Sequence, residues 1–350
     1  MALTLSTSLL DDLRDANSGE VDATPRRRAE YSTDASNYRL LPQVVVFPRT
    51  CSDVVSILEV ARSHAVPITS RGGGTSIAGN SIGEGIVIDF SRHMNAILEF
   101  DPVNRLARVE PGVVMSDLQA LAAPHGLRFG PDPSTQNRAT FGGMIGNNAC
   151  GPRAVAYGRT ADNTVSLEVI DGRGREFTAG KGLGPVAGLD DLVQASLATI
   201  RTEFGRFSRQ VSGYSLEHLL PENKKDLAKF LVGTEGTLVT VTEATLALVE
   251  VPSSPTLVVL GYPTMAEAAD AVPAMLEHRP VAIEGFDAQL VEAVRAQGGS
   301  AIPELPDGAG WLFVEVAGET VAAAHARARE LAADAGTTAV RNIPAGPEAA

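Results

Sequence analysis

Residues 70–80 read Ser-Arg-Gly-Gly-Gly-Thr-Ser-Ile-Ala-Gly-Asn, and this run narrows what the surrounding chain can be. Gly72, Gly73 and Gly74 carry no Cβ, so their backbone can take φ > 0 and approach other atoms closely. Thr75 and Ser76 add hydroxyl donors, and Gly79 is a further permissive point. The amides of such a loop can turn inward as a concave nest, which suits the many oxygens of a pyrophosphate. Apolar residues precede it (Ala65-Val66-Pro67-Ile68) and follow it (Ile86-Val87-Ile88-Asp89-Phe90), so it is expected at a strand end in an α/β setting. Counted from Gly72, the dinucleotide pattern G-x-G-x-x-G needs a glycine where Ile77 stands, and no G-x-x-x-x-G-K-[ST] occurs. A tight structural turn stays open as the alternative reading of this segment alone.

A second segment shifts the balance. Residues 130–151 read Gly-Pro-Asp-Pro-Ser-Thr-Gln-Asn-Arg-Ala-Thr-Phe-Gly-Gly-Met-Ile-Gly-Asn-Asn-Ala-Cys-Gly, followed by Pro152-Arg153-Ala154-Val155-Ala156-Tyr157-Gly158-Arg159-Thr160. Few aliphatic side chains are available for burial. A loop this long inside a compact domain is uncommon and usually functional. Two donor-rich glycine segments can wrap one extended anion.

Together with Val232-Gly233-Thr234-Glu235-Gly236-Thr237-Leu238, which is similar to a closing G-[ST]-E-G-T element, these segments resemble the FAD-binding (PCMH-type) domain of the vanillyl-alcohol oxidase and p-cresol methylhydroxylase superfamily. Within it the chain is most similar to FAD-linked D-2-hydroxyacid dehydrogenases, such as D-lactate dehydrogenase and the glycolate oxidase flavoprotein subunit. It resembles the N-terminal part of long proteins that join an FAD half to an iron–sulfur half. The likeness runs over roughly residues 37 to 340.

Charge and composition exclude other classes. The net charge is −13, which disfavours a nucleic-acid partner. Glycine numbers 34 of 350 residues, above the usual ~7%, and the surplus falls in the two segments. Arg26-Arg27-Arg28 is short and reads as a solvated stretch. Cys51 and Cys150 form no C-x-x-C, which points to reduced thiols and a cytoplasmic location. No apolar run approaches the ~20 residues that span a bilayer, and the first residues lack the basic region of a signal peptide. Peripheral membrane association through an electron-transfer partner stays open.

The expected fold class is α+β. Residues 1–36 form a polar N-terminal segment with a weak helix signal at Ser8–Ala16. Residues 37–252 form a PCMH-type FAD-binding domain of two α/β subdomains, and residues 255–350 a truncated, partly ferredoxin-like substrate cap. Val44–Phe47 reads as a strand, with Ser52 capping the next helix. Asp101-Pro102-Val103-Asn104 reads as a hairpin turn. Ser116 is expected to cap a helix running to Gly126. Leu192–Phe204 reads as one helix and Thr237–Val249 as a long strand. After residue 255 a strand–helix alternation ends at Thr337–Arg341.

The resemblance implies site residues. Arg71, Gly72, Gly73, Gly74, Thr75, Ser76 and Gly79 match the pyrophosphate loop. Asp132, Ser134, Thr140, Gly142, Gly143 and Asn147 match the stretch along the ribityl chain, Gly151, Tyr157 and Gly158 its end, and Glu235 and Gly236 the closing element. Each also has a structural alternative: turns for the glycines, local capping for Asp132 and Ser134, a salt bridge for Glu235. Covalent members often carry His where Gly74 stands, so the FAD is expected to be non-covalent. No catalytic residue is assigned. The family's C-terminal H-x-G-D-G-N-x-H-like motif, which places a metal and a base at the substrate carbon, is absent. The six histidines (His64, His93, His125, His218, His278, His325) are isolated. A metal and an iron–sulfur cluster are expected only in longer relatives. The chain, ending at Pro347-Glu348-Ala349-Ala350, reads as a truncated product or fragment that holds FAD without full turnover machinery.

Three functions follow. One is an FAD-dependent oxidoreductase for a small 2-hydroxy acid, served by an electron acceptor or iron–sulfur partner. The second is a non-catalytic FAD-binding module needing a partner chain. The third is a flavoenzyme of another specificity, such as a sugar-alcohol oxidase or a UDP-sugar enolpyruvyl reductase.

Overall fold

Val44-Val45-Val46-Phe47 and Ile86-Val87-Ile88 are continuous apolar runs, as strands covered on both faces require. In the computed structural model both strands, Val44–Phe47 and Ile86–Asp89, are wholly buried. They pair in parallel, and Ile68–Arg71 adds a third parallel strand on the far side of Ile86–Asp89. Glu20–Asp22 completes the sheet, antiparallel to Val44–Phe47. The structure describes residues 6–204, 206–207, 213–297 and 304–344. Residues 1–5 and 345–350, on which the leader and chain-end expectations rest, lie outside them.

The helix Cys51–Ser63 joins the strand Val44–Phe47 to Ile68–Arg71. Its N-cap is Thr50 rather than Ser52: Thr50 and Asp53 form a reciprocal capping box. Asp53 also accepts from the amides of Ser18 and Arg49 and from the Ser18 hydroxyl. Val54, Ile57 and Ala61 face the sheet, joined by Leu9 and Leu13 of the helix Thr7–Ala16. The polar N-terminal segment thus contributes to this core.

By the density of contacts the chain divides into two units. Described residues within 1–129, 133–149 and 159–249 form the first, and those within 130–132, 150–158 and 250–350 the second. Besides the parallel sheet, the first unit has a five-stranded antiparallel sheet. Its order is Ile97–Asp101, Leu106–Val109, Val239–Ala247, Thr164–Asp171, Glu176–Ala179. The hairpin at Asp101–Asn104 is present, with the Asp101 carboxylate accepting from the Val103 and Asn104 amides. Phe129, Phe141, Met115 and Leu118 fill the core against this sheet. Two expectations differ in detail. The helix at Ser116 is Met115–Ala122, started by Val114 with no side-chain cap. The helix expected over Leu192–Phe204 is two, Leu189–Ala195 and Leu197–Glu203, divided at Ser196.

The second unit has a four-stranded antiparallel sheet ordered Ala282–Asp287, Gly310–Gly318, Ser254–Tyr262, Val340–Pro344. The helices Met265–Glu277 and Val321–Asp334 share one apolar core with this sheet. Trp311, the only tryptophan, belongs to another small core with Val259, Val291 and Ile343. Among the described residues no helix is long and apolar enough to cross a membrane.

Candidate functional site: three glycine-bearing segments

The strand Ile68–Arg71 ends where the first glycine loop begins. Glycine is required there by close approach. A Cβ on Gly72 would stand 1.9 Å from Oγ1 of Thr140, and one on Gly73 2.2 Å from the carbonyl oxygen of Arg138. Gly74 has φ +63° and would place a Cβ 2.6 Å from Nη2 of Arg71. Gly79 has φ +84° and lies against the Tyr38 ring. Ser76 is engaged locally: its hydroxyl donates to Asn80 Oδ1 (3.0 Å) and accepts from the amides of Ala78 and Asn80.

The second segment contains a short helix, Phe141–Asn147. Thr140 caps it, its hydroxyl accepting from the Gly143 amide at 3.4 Å. Phe141, Met144 and Ile145 are buried and anchor it. Gly142 packs on Pro111, whose Cβ would lie 2.8 Å from an added Cβ, whereas Gly143 has ordinary space. Asn147 lies exposed on the helix and donates to the Gly143 carbonyl. Ser134 lies in an exposed turn.

The third segment is strained. Gly233, Glu235 and Gly236 all have positive φ (88°, 55° and 72°). For Glu235 that conformation is costly and is held only where the surroundings fix it. They do so here. The Gly233 amide donates to the Ile145 carbonyl (2.8 Å) and the Glu235 amide to that of Gly146 (3.0 Å), tying the element to the helix Phe141–Asn147. Thr234 and Thr237 hydroxyls donate to the Leu231 and Thr234 carbonyls. Since Thr237 donates its only hydroxyl proton there, Tyr214 OH must be the donor in its 2.8 Å bond to Thr237 Oγ1. Nothing in the local sequence pattern marked Tyr214.

The structure therefore gathers Gly72, Gly73, Gly74, Thr140, Gly142, Gly143, Asn147, Glu235 and Gly236 within the first unit. It groups Asp132, Gly151, Tyr157 and Gly158 with the second. There the Asp132 carboxylate pairs with Arg153, Nε to Oδ2 at 3.0 Å, and accepts from the Arg153 amide. Arg153 also makes a two-pronged pair with Glu315. A Cβ on Gly151 would meet the Asp132 carbonyl at 2.1 Å. Gly158 ends the helix Ala154–Tyr157 with φ +73°.

The histidines go elsewhere. His64, His93 and His278 pair with Asp12, Glu20 and Asp334. His125 lies against Phe100. Burial pushes His218 below its usual range, and its Nε2 has no hydrogen-bond partner. Among the described residues no group of three or more His, Cys, Asp or Glu is arranged to hold a metal ion.

Comparison with known proteins fits this geometry. Residues 42–180 match the family described as FAD binding domain, and residues 251–349 that described as FAD linked oxidases, C-terminal domain. The chain belongs to the FAD-linked oxidases. It is 36% identical to a D-2-hydroxyglutarate dehydrogenase of Pseudomonas putida, over 78% of this chain and 29% of that protein. It is 33% identical to a D-lactate dehydrogenase of Archaeoglobus fulgidus, over 71% of this chain and 48% of that one. The chain thus spans from under a third to about half the length of these relatives. A solved alkyldihydroxyacetonephosphate synthase shares the fold, with a TM-score of 0.69 at 18% identity, over 99% of this chain and 63% of that one. The chain therefore carries an FAD-binding domain, and its three glycine segments lie in the same unit. A Cβ at Gly72 would meet Thr140, one at Gly73 the Arg138 carbonyl, and one at Gly74 the Arg71 guanidinium.

Proposed function

We propose that this FAD-linked oxidase is the cofactor-holding part of an oxidoreductase that converts a D-2-hydroxy acid to its 2-oxo acid with non-covalent FAD. The observation that carries this reading is the meeting of three separated glycine segments in one unit: Gly72 against Thr140, and Gly233–Gly236 on the helix Phe141–Asn147. The substrate class comes from the relatives, which are named for D-2-hydroxyglutarate and D-lactate. Bound FAD supplies the two-electron chemistry, and an external acceptor or an iron–sulfur partner takes the electrons onward. The chain's residues bind and orient: Arg71–Ser76 and Gly79 around the pyrophosphate, with Ser134, Thr140, Gly142, Gly143, Asn147, Glu235 and Gly236 along the rest of the cofactor. Asp132, Gly151, Tyr157 and Gly158 are assigned to the same role. The sheet of the second unit takes its second, third, first and fourth strands side by side, all antiparallel. That order supports a ferredoxin-like cap interrupted by the helix Ala288–Ala296.

FAD titration of the purified chain tests the cofactor half. Uptake of one FAD, all of it released by acid precipitation, is the expected result. A chain that takes up none overturns the reading, and colour left in the pellet overturns the non-covalent form. The substrate half is tested by adding D-2-hydroxyglutarate, 2-oxoglutarate, D-lactate and pyruvate to the loaded protein. At least one is expected to shift the visible flavin bands. No response to any of them, with FAD bound, removes the hydroxy-acid assignment and leaves the cofactor assignment standing.

A further inference from the structure

The first glycine loop rests on a cation that the N-terminal part of the chain holds in place. The Arg71 guanidinium lies 4.8 Å from the centre of the Tyr31 ring. Its Nη1 donates to the Ser81 carbonyl at 3.2 Å, and its Nη2 stands 2.6 Å from where a Gly74 Cβ would be. Among the described residues Nε and Nη2 have no hydrogen-bond partner, and Arg71 makes no ion pair. An arginine with a fixed plane and open donors is suited to a phosphate oxygen pair.

Each support of Arg71 is itself fixed. Tyr31 OH donates to Asp89 at 2.6 Å, and Asp89 is 3% exposed. The other Asp89 oxygen accepts from the amide and hydroxyl of Ser91. The Tyr31 ring meets the edge of Phe47, which is buried. Burial, then the Asp89 charge, pushes the Tyr31 hydroxyl well above its usual range, so it stays a donor. Ser81, whose carbonyl holds Arg71, donates its own hydroxyl to Asp34 at 3.0 Å. Asp34 also accepts from the Ser36 amide.

We propose that Tyr31 and Asp34 are positioning residues of the cofactor site: through Asp89 and Ser81 they hold the Arg71 guanidinium beneath Gly74 as the cation that pairs with the FAD pyrophosphate. This rests on the FAD reading above and names the group that neutralises the phosphates. Backbone amides contribute only partial charges. Arg71 adds a full positive charge at Gly74.

The test is FAD titration of the full chain at low and high salt, with inorganic pyrophosphate and ADP as competitors. Arg71→Gln is expected to weaken FAD binding by about 30-fold, to flatten its salt dependence and to abolish competition by pyrophosphate. Arg71→Lys restores the salt dependence but only part of the affinity. Tyr31→Phe and Asp34→Asn each weaken FAD by several-fold while the salt dependence persists at reduced slope. If Arg71→Gln binds FAD like the wild type with the same salt slope, the inference fails and the FAD reading stands. If Tyr31→Phe and Asp34→Asn lower the thermal midpoint but leave affinity and salt slope unchanged, their role is purely structural and the inference fails. A wild-type chain that binds no FAD fails both.

Discussion

The first and second glycine segments share a composition but use it differently. In the first, Gly72 and Gly73 are glycine because Thr140 and Arg138 occupy the space of a side chain, and Gly74 because φ is positive and Arg71 lies beneath it. The loop is an irregular cradle held by contacts distant in sequence. In the second, Gly142 and Gly143 sit in a capped helix whose backbone is regular, and only Gly142 is crowded. Glycine-rich sequence alone thus does not separate an irregular loop from a closely packed helix. The difference lies in which atoms stand where the Cβ would be.

Substitutions can break that contrast. Gly74→Val is expected to have the largest effect. A β-branched residue at φ +63° is a steric outlier, and its Cβ meets the Arg71 guanidinium. FAD uptake should fall more than about 100-fold. Equal FAD retention in this variant and the wild type would show that the first loop is a structural turn only. In the second segment Gly142→Ala should cost about 1–3 kcal/mol, because the new methyl overpacks Pro111. Gly143→Ala should fold within about 1 kcal/mol of wild type, helped by alanine's helix propensity. Thermal melts of the two variants check this ordering, and a reversed order removes the packing argument. Thr140→Ala removes the helix cap and is expected to cost about 1 kcal/mol, read in the same melts.

A pH titration sharpens the contrast from the side of the first loop. Burial raises the Asp34 carboxyl, but hydrogen bonds from Ser36 and Ser81 outweigh it and hold it below 3.8. The unfolded chain therefore takes up this proton first as pH falls. The contribution of Asp34 is complete above the unfolded value and disappears as pH drops through the lower folded value. Acid should loosen the first loop in that window, and Asp34→Asn should flatten this part of the stability curve. An unchanged profile in Asp34→Asn would show that other carboxylates govern acid loss. The smallest effect is expected from Cys150→Ser, a conservative change at a half-buried thiol outside any disulfide, which should leave FAD affinity within about twofold.

Much of the fold was legible because its signals are local. The buried parallel strands announce themselves as Val44–Phe47 and Ile86–Ile88, the hairpin as Asp101–Asn104, and the second unit as regular strand–helix alternation. Thr50 was less visible than Ser52 because its capping role depends on Asp53 reaching back. The N-terminal segment reads as polar because its useful groups, Tyr31 and Asp34, act on partners 47 to 58 positions away. Grouping 130–132 and 150–158 with the second unit was likewise hidden. Arg153 and Glu315 are 162 positions apart, and no periodicity encodes an ion pair of that span. Of the site, the glycines and Thr140 could be read from type and order. Arg138 and Tyr214 could not: Arg138 meets Gly73 through its backbone carbonyl, and Tyr214 bonds Thr237 from 23 positions away.

Trp311 lies in the sheet of the second unit, 6% exposed, its indole nitrogen donating to the Pro306 carbonyl. As the chain's only tryptophan, it makes ultraviolet emission a label for one unit without any chemical modification. In the FAD-loaded protein proposed above, visible absorbance would report on the flavin, most of whose proposed contacts lie in the first unit. Heating or denaturant can therefore be followed at two wavelengths in one cuvette. Coincident curves would mean that the two units melt as a single cooperative body, and separated curves that each carries its own stability.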